Sequence, residues 1–160
     1  MAAADCAGSL VTAVALPVPT TLAWVVLIPA VTSATDEARA LLPPTVPRED
    51  AVFNVQRVAL LLASLQAAQP AALATALEDR LHQPYRLVLF PWMPAVAAAA
   101  RAAGALGCVL SGAGPALLAV VAGNGATVAR AMEDALRTAG VEGTARAFDV
   151  DSAGATSRVL

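Results

Sequence analysis

The chain has 160 residues, 58% of them hydrophobic and only 14% charged, with a net charge of -2. That length suits one compact domain or half of a two-domain protein. The composition excludes a disordered chain. Ten basic residues, all of them arginine, against 12 acidic ones and without a basic run exclude a nucleic-acid-binding surface.

A mean hydropathy of +0.68 raises the question of a membrane. The uncharged stretch from Cys6 to Thr35 is long enough to span a bilayer. Pro17, Pro19, Pro29 and the Thr20-Thr21 pair interrupt it, however. The second uncharged stretch, Ala102 to Ala129, is broken by six glycines and Pro115. Both read as short buried elements joined by turns, and alanine inflates the average. No basic segment precedes the first apolar run, so no signal peptide is expected. Cys6 and Cys108 lack metal-site spacing and read as free thiols of a cytoplasmic protein.

In chain order, Met1 to Gly8 is alanine-rich and helix-compatible, and Ser9 to Leu16 alternates like a strand. Pro17-Val18-Pro19 is a turn. Leu22 to Ile28 is an apolar run closed by Pro29 and predicts a buried strand. Thr35 is placed to cap a short helix over 36–42, with Asp36 and Glu37 where the helix dipole favours anions. A longer helix is predicted from Arg48 to Ala67, with Val52, Val55, Ala59 and Leu62 at helical spacing. Pro70 opens another, to about Leu81, and residues 82–86 form a break. A helix over 94–103, strands over 105–110 and 116–121 around the turn Ser111–Pro115, a helix over 124–139 and a strand over 144–150 complete the pattern. The polar tail 151–160 is expected to be loose.

This order is βαββαβ, the split-βαβ arrangement of ferredoxin-like folds, with about two helices inserted after the first core strand. The expected class is α+β, a sheet with helices on one face. The domain would span 22–150, preceded by a linking remnant over 1–21.

Leu110-Ser111-Gly112-Ala113-Gly114-Pro115 is the most informative segment. Two glycines allow positive φ and close backbone approach, and the amides of such a loop can form an anion-binding nest. A plain hairpin turn would use the same residues. The segment resembles the third glycine-rich motif of the GHMP kinases. Two more segments are similar to those of the homoserine kinases within that superfamily: Thr35-Asp36-Glu37-Ala38-Arg39-Ala40-Leu41-Leu42-Pro43 and Asp79-Arg80-Leu81-His82-Gln83-Pro84-Tyr85-Arg86. The three occur in the family's order, over about residues 8 to 150. The family's Gly-Leu-Gly-Ser-Ser phosphate loop and its His-x-Asp-Asn segment do not occur in this chain, so the resemblance is to the C-terminal half alone.

The resemblance implies a GHMP kinase C-terminal domain and, for the whole enzyme, transfer of the γ-phosphoryl of ATP to the hydroxyl of L-homoserine in threonine biosynthesis, with Mg²⁺. It implies that Arg39 and Arg86 bind or orient the substrate carboxylate, since a guanidinium fork pairs with a carboxylate and keeps its charge. Thr35 would lie near the transferring phosphate, and Ser111, Gly112, Ala113 and Gly114 would offer backbone donors. These groups are expected to converge on one concave site, with no general base evident in this half and no metal ligands. Each residue has a plainer reading: Thr35 as a cap only, Arg39 as the partner of Asp36, Arg86 as a solvated loop residue, His82 as structural. The chain alone is expected to be inactive for want of the main ATP loop, and to self-associate through the face its other half would cover. No nucleic-acid or membrane partner is expected. The alternatives are a non-catalytic GHMP-type association module and the C-terminal domain of another GHMP small-molecule kinase.

Overall fold

Residues 2–4, 10–12, 14, 16, 18–32 and 35–151 are described by the computed structural model of the protein. Strands β1 (Ala2–Ala4) and β2 (Leu10–Thr12) pair antiparallel as a small sheet of their own. The alanine-rich start is therefore a strand where it is described, not a helix. A few alanines cannot nucleate a helix unaided, whereas an antiparallel partner supplies the ladder at once. The expected strand over 9–16 is reduced to β2. Val14 and Leu16 lie outside it and are exposed, and Ser9, Ala13 and Ala15 fall outside the described residues. The same holds for Cys6 and for the tail 152–160.

The principal sheet has four strands, β3 (Leu22–Pro29), β4 (Ala105–Leu110), β5 (Leu117–Ala122) and β6 (Gly143–Phe148), in the order β4-β5-β3-β6. Every neighbouring pair is antiparallel. Two crossings create this order: α5 (Met93–Ala102) links β3 to β4, and α6 (Ala126–Thr138) links β5 to β6. Together with the strands they form the expected βαββαβ core. Alternation along β3 sends Val25 and Leu27 to the helix-covered face, where both are fully buried. From α5, Met93, Val96, Ala97 and Ala100 recur at helical spacing toward the sheet, and from α6 Val128, Ala129, Met132 and Leu136 do the same. The small residues of α5 let its backbone sit close to β4. α6 begins at Ala126 rather than 124, because Asn124 stays outside the helix and its Oδ1 accepts the Ala126 amide at 2.8 Å. Burial pushes the Cys108 thiol up to about 12, with Arg101 acting weakly in the opposite sense, so it is an inert core residue.

Between β3 and α5 lies an insertion richer than two helices. It contains α1 (Thr35–Ala40), α2 (Arg48–Gln66), a 3₁₀ turn at Pro70–Ala72, α3 (Leu73–Ala76) and α4 (Gln83–Arg86). Part of it covers the second face of the sheet. Leu61 and Leu65 of α2, with Leu73 and Leu77, pack on Leu22, Trp24, Leu106 and Val120. The sheet is thus covered on both faces, not on one. Gly107 makes room here, since a Cβ on it would collide with the Leu77 side chain.

Two expectations about the insertion are corrected. The helix predicted over 70–81 ends at Ala76, and the break predicted over 82–86 contains α4. Both follow from Asp79, whose carboxylate captures amides that a continuous helix would have bonded to its own carbonyls. The apolar stripe of α2 faces outward: Val52 is 49% exposed, Val55 70% and Leu62 40%, and Ala59 is exposed too. The inward face carries Phe53, Asn54, Arg57, Leu61 and Ser64. Periodicity establishes a helix without saying which side meets the protein when both sides carry apolar residues. No helix among the described residues is long and apolar enough to cross a membrane.

Candidate functional site

The site is built outward from α2. Asn54 donates from Nδ2 to Asp79 Oδ1 at 2.6 Å and accepts the Arg80 amide on Oδ1 at 2.9 Å, clamping the end of the α3 segment. Asp79 in turn accepts the amides of Leu81 (2.8 Å), His82 (3.0 Å to Oδ2) and Gln83 (2.5 Å). Those amides precede or open α4 and have no helical carbonyl to bond. Burial works to raise the Asp79 pKa, but the hydrogen bonds from Asn54 and from the three amides outweigh it. The group lies below its ordinary 3.8 and is ionised at neutral pH.

This clamp aims the side chains of Gln83, which opens α4, and of His82, which precedes it. Gln83 Oε1 accepts the amide of Leu110 at 2.9 Å, the last residue before the glycine loop. His82 Nε2 accepts Nε–H of Arg86 at 3.1 Å. Arg86 is only 1% exposed, and its Nη1 is buried without a hydrogen-bond partner. It makes no ion pair with any described carboxylate. Reading Arg86 as a solvated loop residue is therefore wrong: the polar clamp draws its backbone inward. A buried guanidinium left this way is costly to the fold unless something else satisfies it.

The chain leaves α4 through Phe90, whose amide donates to the Arg86 carbonyl at 3.0 Å. The Phe90 ring then packs beneath Gly114, where a Cβ would stand 2.5 Å from Cε2. Gly114 has φ +85°, and with the ring that close no other residue fits there. The loop closes on itself, with the Ser111 amide on the Ala116 carbonyl (2.8 Å) and the Gly114 amide on the Ser111 carbonyl (3.1 Å). Of the four expected backbone donors, Ser111 and Gly114 are thus committed within the turn. Gly112 and Ala113 have no hydrogen-bond partner for their amides among the described residues. Gly112, at φ +57°, borders open space where a ligand can approach.

Two ties therefore join Arg86 to the glycine loop, through Gln83–Leu110 and through Phe90–Gly114, and they do not include Arg39. Arg39 is exposed on α1, beside a buried Ala38. α1 begins at Thr35 itself, one residue before the expected start; the side chains of Thr35 and Asp36, and with them the capping and pairing expected there, lie outside what is described. An open groove of about 290 Å³ runs between α2 and this cluster, lined by Asn54, Arg57, Asp79, His82, Gln83 and Leu110 among others. A larger depression of about 620 Å³ surrounds Phe53 and Arg80. It contains none of the expected site residues, and its Arg80 is committed to Asp50 at 3.3 Å and stacked 3.9 Å over Phe53.

Asn54, Asp79, His82 and Gln83 are the residues sequence reasoning gave no part in the site. Three of them lie inside the segment that carries the resemblance, which ends at Arg86. For Asn54 the signal was faint: one amide in a helix whose spacing does not say which side meets the protein.

The sheet order, the paired α5 and α6, and the glycine loop resting on an arginine-bearing segment define the C-terminal domain of a GHMP kinase. The family described as "GHMP kinases C terminal" matches residues 60–138. The homoserine kinase of Microchaete diplosiphon is 48% identical over 134 residues, which cover 83% of this chain and 44% of that protein. The homoserine kinase of Persephonella marina is 41% identical over 142 residues, 89% of this chain and 47% of that one. A crystal structure of homoserine kinase from Cytophaga hutchinsonii superposes with a TM-score of 0.82 at 31% identity, over 86% of this chain and 44% of that chain. The chain carries a GHMP kinase C-terminal domain, and what it matches in the homoserine kinases is their C-terminal half. It spans less than half the length of these relatives.

Proposed function

We propose that the chain supplies the amino-acid-binding half of an ATP-dependent homoserine kinase. The observation that supports this most is the buried Arg86, with Nη1 unpartnered and no described carboxylate beside it. A substrate carboxylate is the natural complement, because charge-assisted bonds from a guanidinium are short, directional and roughly twice as strong as neutral ones. Arg39 is assigned the same carboxylate or its orientation, and Thr35 a place near the transferred phosphoryl group, both by the family's motif. Gly112 and Ala113 are assigned backbone contacts to the substrate, since their amides have no acceptor among the described residues.

Phosphoryl transfer depends on positioning and charge neutralisation, which ATP-bound Mg²⁺ supplies when present. The residues of this chain do not fit that group alone. Two free loop amides are too few to cradle a triphosphate, and no described cluster of three His, Cys, Asp or Glu side chains is placed to hold a metal. The ATP-binding part of the reaction therefore belongs to sequence of the kind found in the N-terminal half of the relatives. The domain is assigned to residues 22–150, with 1–21 as a linking segment.

A coupled ADP-release assay tests this reading. The chain alone with Mg-ATP and L-homoserine should show no turnover. Fused to the N-terminal half of the Microchaete diplosiphon relative, it should release ADP only when homoserine is present, and Arg86→Ala should lower kcat/KM at least about tenfold, as expected for a lost hydrogen bond to a charged group. Turnover by the chain alone that Arg86→Ala abolishes would contradict the assignment of ATP binding elsewhere. A fusion indifferent to homoserine would contradict the substrate.

A further inference from the structure

His82 is the sole histidine of the chain, and its contact with Arg86 sets a protonation requirement. A guanidinium has donors only, so at 3.1 Å His82 Nε2 must be the acceptor. The ring is then neutral, with its proton on Nδ1. Protonation of Nε2 would convert the acceptor into a donor and set one cation against another. The His82 amide is held by both oxygens of Asp79, at 3.2 and 3.0 Å, which fixes the backbone from which the ring projects.

The charged groups around the ring are few. Arg86 approaches from α4 and Asp79 from the preceding segment, the latter already bonded to Asn54 and three amides. Across the groove, Arg57 of α2 and Glu78 face each other at 3.0 Å and neutralise one another. β4 presents only Val109 and Leu110. Burial and then Arg86 favour the neutral ring, Asp79 opposes them, and the net effect holds His82 below its ordinary 6.5.

We infer that His82 is a positioning residue for Arg86: its neutral ring fixes Nε–H, and through the planar guanidinium it fixes the orientation of the unpartnered Nη1, while protonation of the ring releases that side chain. The coupling rests on the hydrogen bond alone. Its consequence for substrate rests on the reading of Arg86 as a carboxylate site. That consequence has an unusual sign. Simple Coulomb attraction predicts that a protonated His82 strengthens carboxylate binding. Release of Arg86 predicts that it weakens binding, so L-homoserine affinity falls as pH drops through the His82 pKa.

The test is NMR on the chain labelled with ¹⁵N in histidine and arginine. The expected result is an Nδ1–H tautomer, a His82 pKa below 6.5, and an Arg86 Nε–H signal that is slowly exchanging at pH 8 and lost as His82 protonates. His82→Gln places an amide oxygen near the position of Nε2, and should keep the Arg86 signal at every pH from 5 to 8. His82→Phe should lose it throughout, with the backbone amide spectrum reporting that the fold is intact. An Nε2–H tautomer, or an Arg86 signal unchanged through the His82 titration, overturns the inference. In the same samples, L-homoserine affinity should fall at least about threefold from pH 8 to pH 5.5 in the unaltered chain and stay flat in His82→Gln. Absence of homoserine binding at every pH, with the tautomer and Arg86 signals as expected, contradicts the carboxylate reading and leaves the His82–Arg86 coupling established.

Discussion

The face of the sheet under α5 and α6 and the Asp79–Arg86 segment are held by opposite kinds of force. The first is a layer of Val25, Leu27, Leu117, Val96, Met132 and Leu136, all essentially inaccessible to water and without a polar group to satisfy. Its stability is spread over many contacts. The second is a chain of single hydrogen bonds from Asn54 to Asp79, to His82 and Gln83, and on to Arg86 and Leu110. Loss of one core contact weakens the fold; loss of one link in the polar chain displaces the residues beyond it. The geometry around Arg86 can therefore rest on few residues only because the apolar layer carries stability elsewhere.

The largest expected effect lies in the apolar layer. Leu117→Ala removes a fully buried side chain at the start of β5 and should cost about 2–5 kcal/mol in chemical denaturation, with the cavity adding to the transfer term. The hydrogen-exchange protection of residues 81–83 should persist in whatever fraction remains folded. If that protection disappears first, the two regions are not separable in the way described.

Asp79→Ala comes next. It leaves the amides of 81–83 and the Asn54 side chain without their acceptor, and should cost about 1–3 kcal/mol. Exchange protection at 81–83 should fall even where the sheet amides stay protected. The pH dependence has a definite sign. Because the Asp79 pKa is lowered on folding, its contribution is complete above 3.8 and is lost as pH falls through the folded value. His82, also lowered, acts over a different range: folding favours its neutral form, so stability falls as pH drops from above 6.5 through its folded pKa. Denaturation midpoints of His82→Gln against the unaltered chain between pH 5 and 8 isolate the second effect, and a difference that does not grow toward low pH would contradict it.

The smallest effect is expected on the outer side of α2. Val55→Glu, at a position 70% exposed, should change stability by no more than about 0.5 kcal/mol. Leu61→Glu, on the inner side against the second cluster, should be severely destabilising. Equal losses from the two would mean that the outward stripe is covered.

That stripe also shows where the sequence was legible and where it was not. The strands at Leu22, Ala105 and Leu117 and the helices at Met93 and Ala126 could be read because alternation, helical spacing and turn residues agree there. Val52, Val55, Ala59 and Leu62 identified a helix correctly but could not say which side is buried, because the inner side carries a mixture of Phe53, Leu61 and the polar Asn54 and Arg57, whose partners lie more than twenty positions away. Arg86 and the glycine loop were legible through the motif. The burial of Arg86, the acceptor role of His82 and the commitment of the Ser111 and Gly114 amides were not, since each depends on which groups the fold brings within hydrogen-bond distance.

The role proposed for Arg86 is to offer a buried, unsatisfied guanidinium to a carboxylate. Calorimetric titration of the chain with L-homoserine and with its primary amide, in the unaltered protein and in Arg86→Lys, tests it most directly. The acid should bind at least about tenfold more tightly than the amide, the difference expected for a hydrogen bond to a charged group, and Arg86→Lys should largely erase that preference. Equal affinities for acid and amide, or a preference that survives Arg86→Lys intact, would contradict the account.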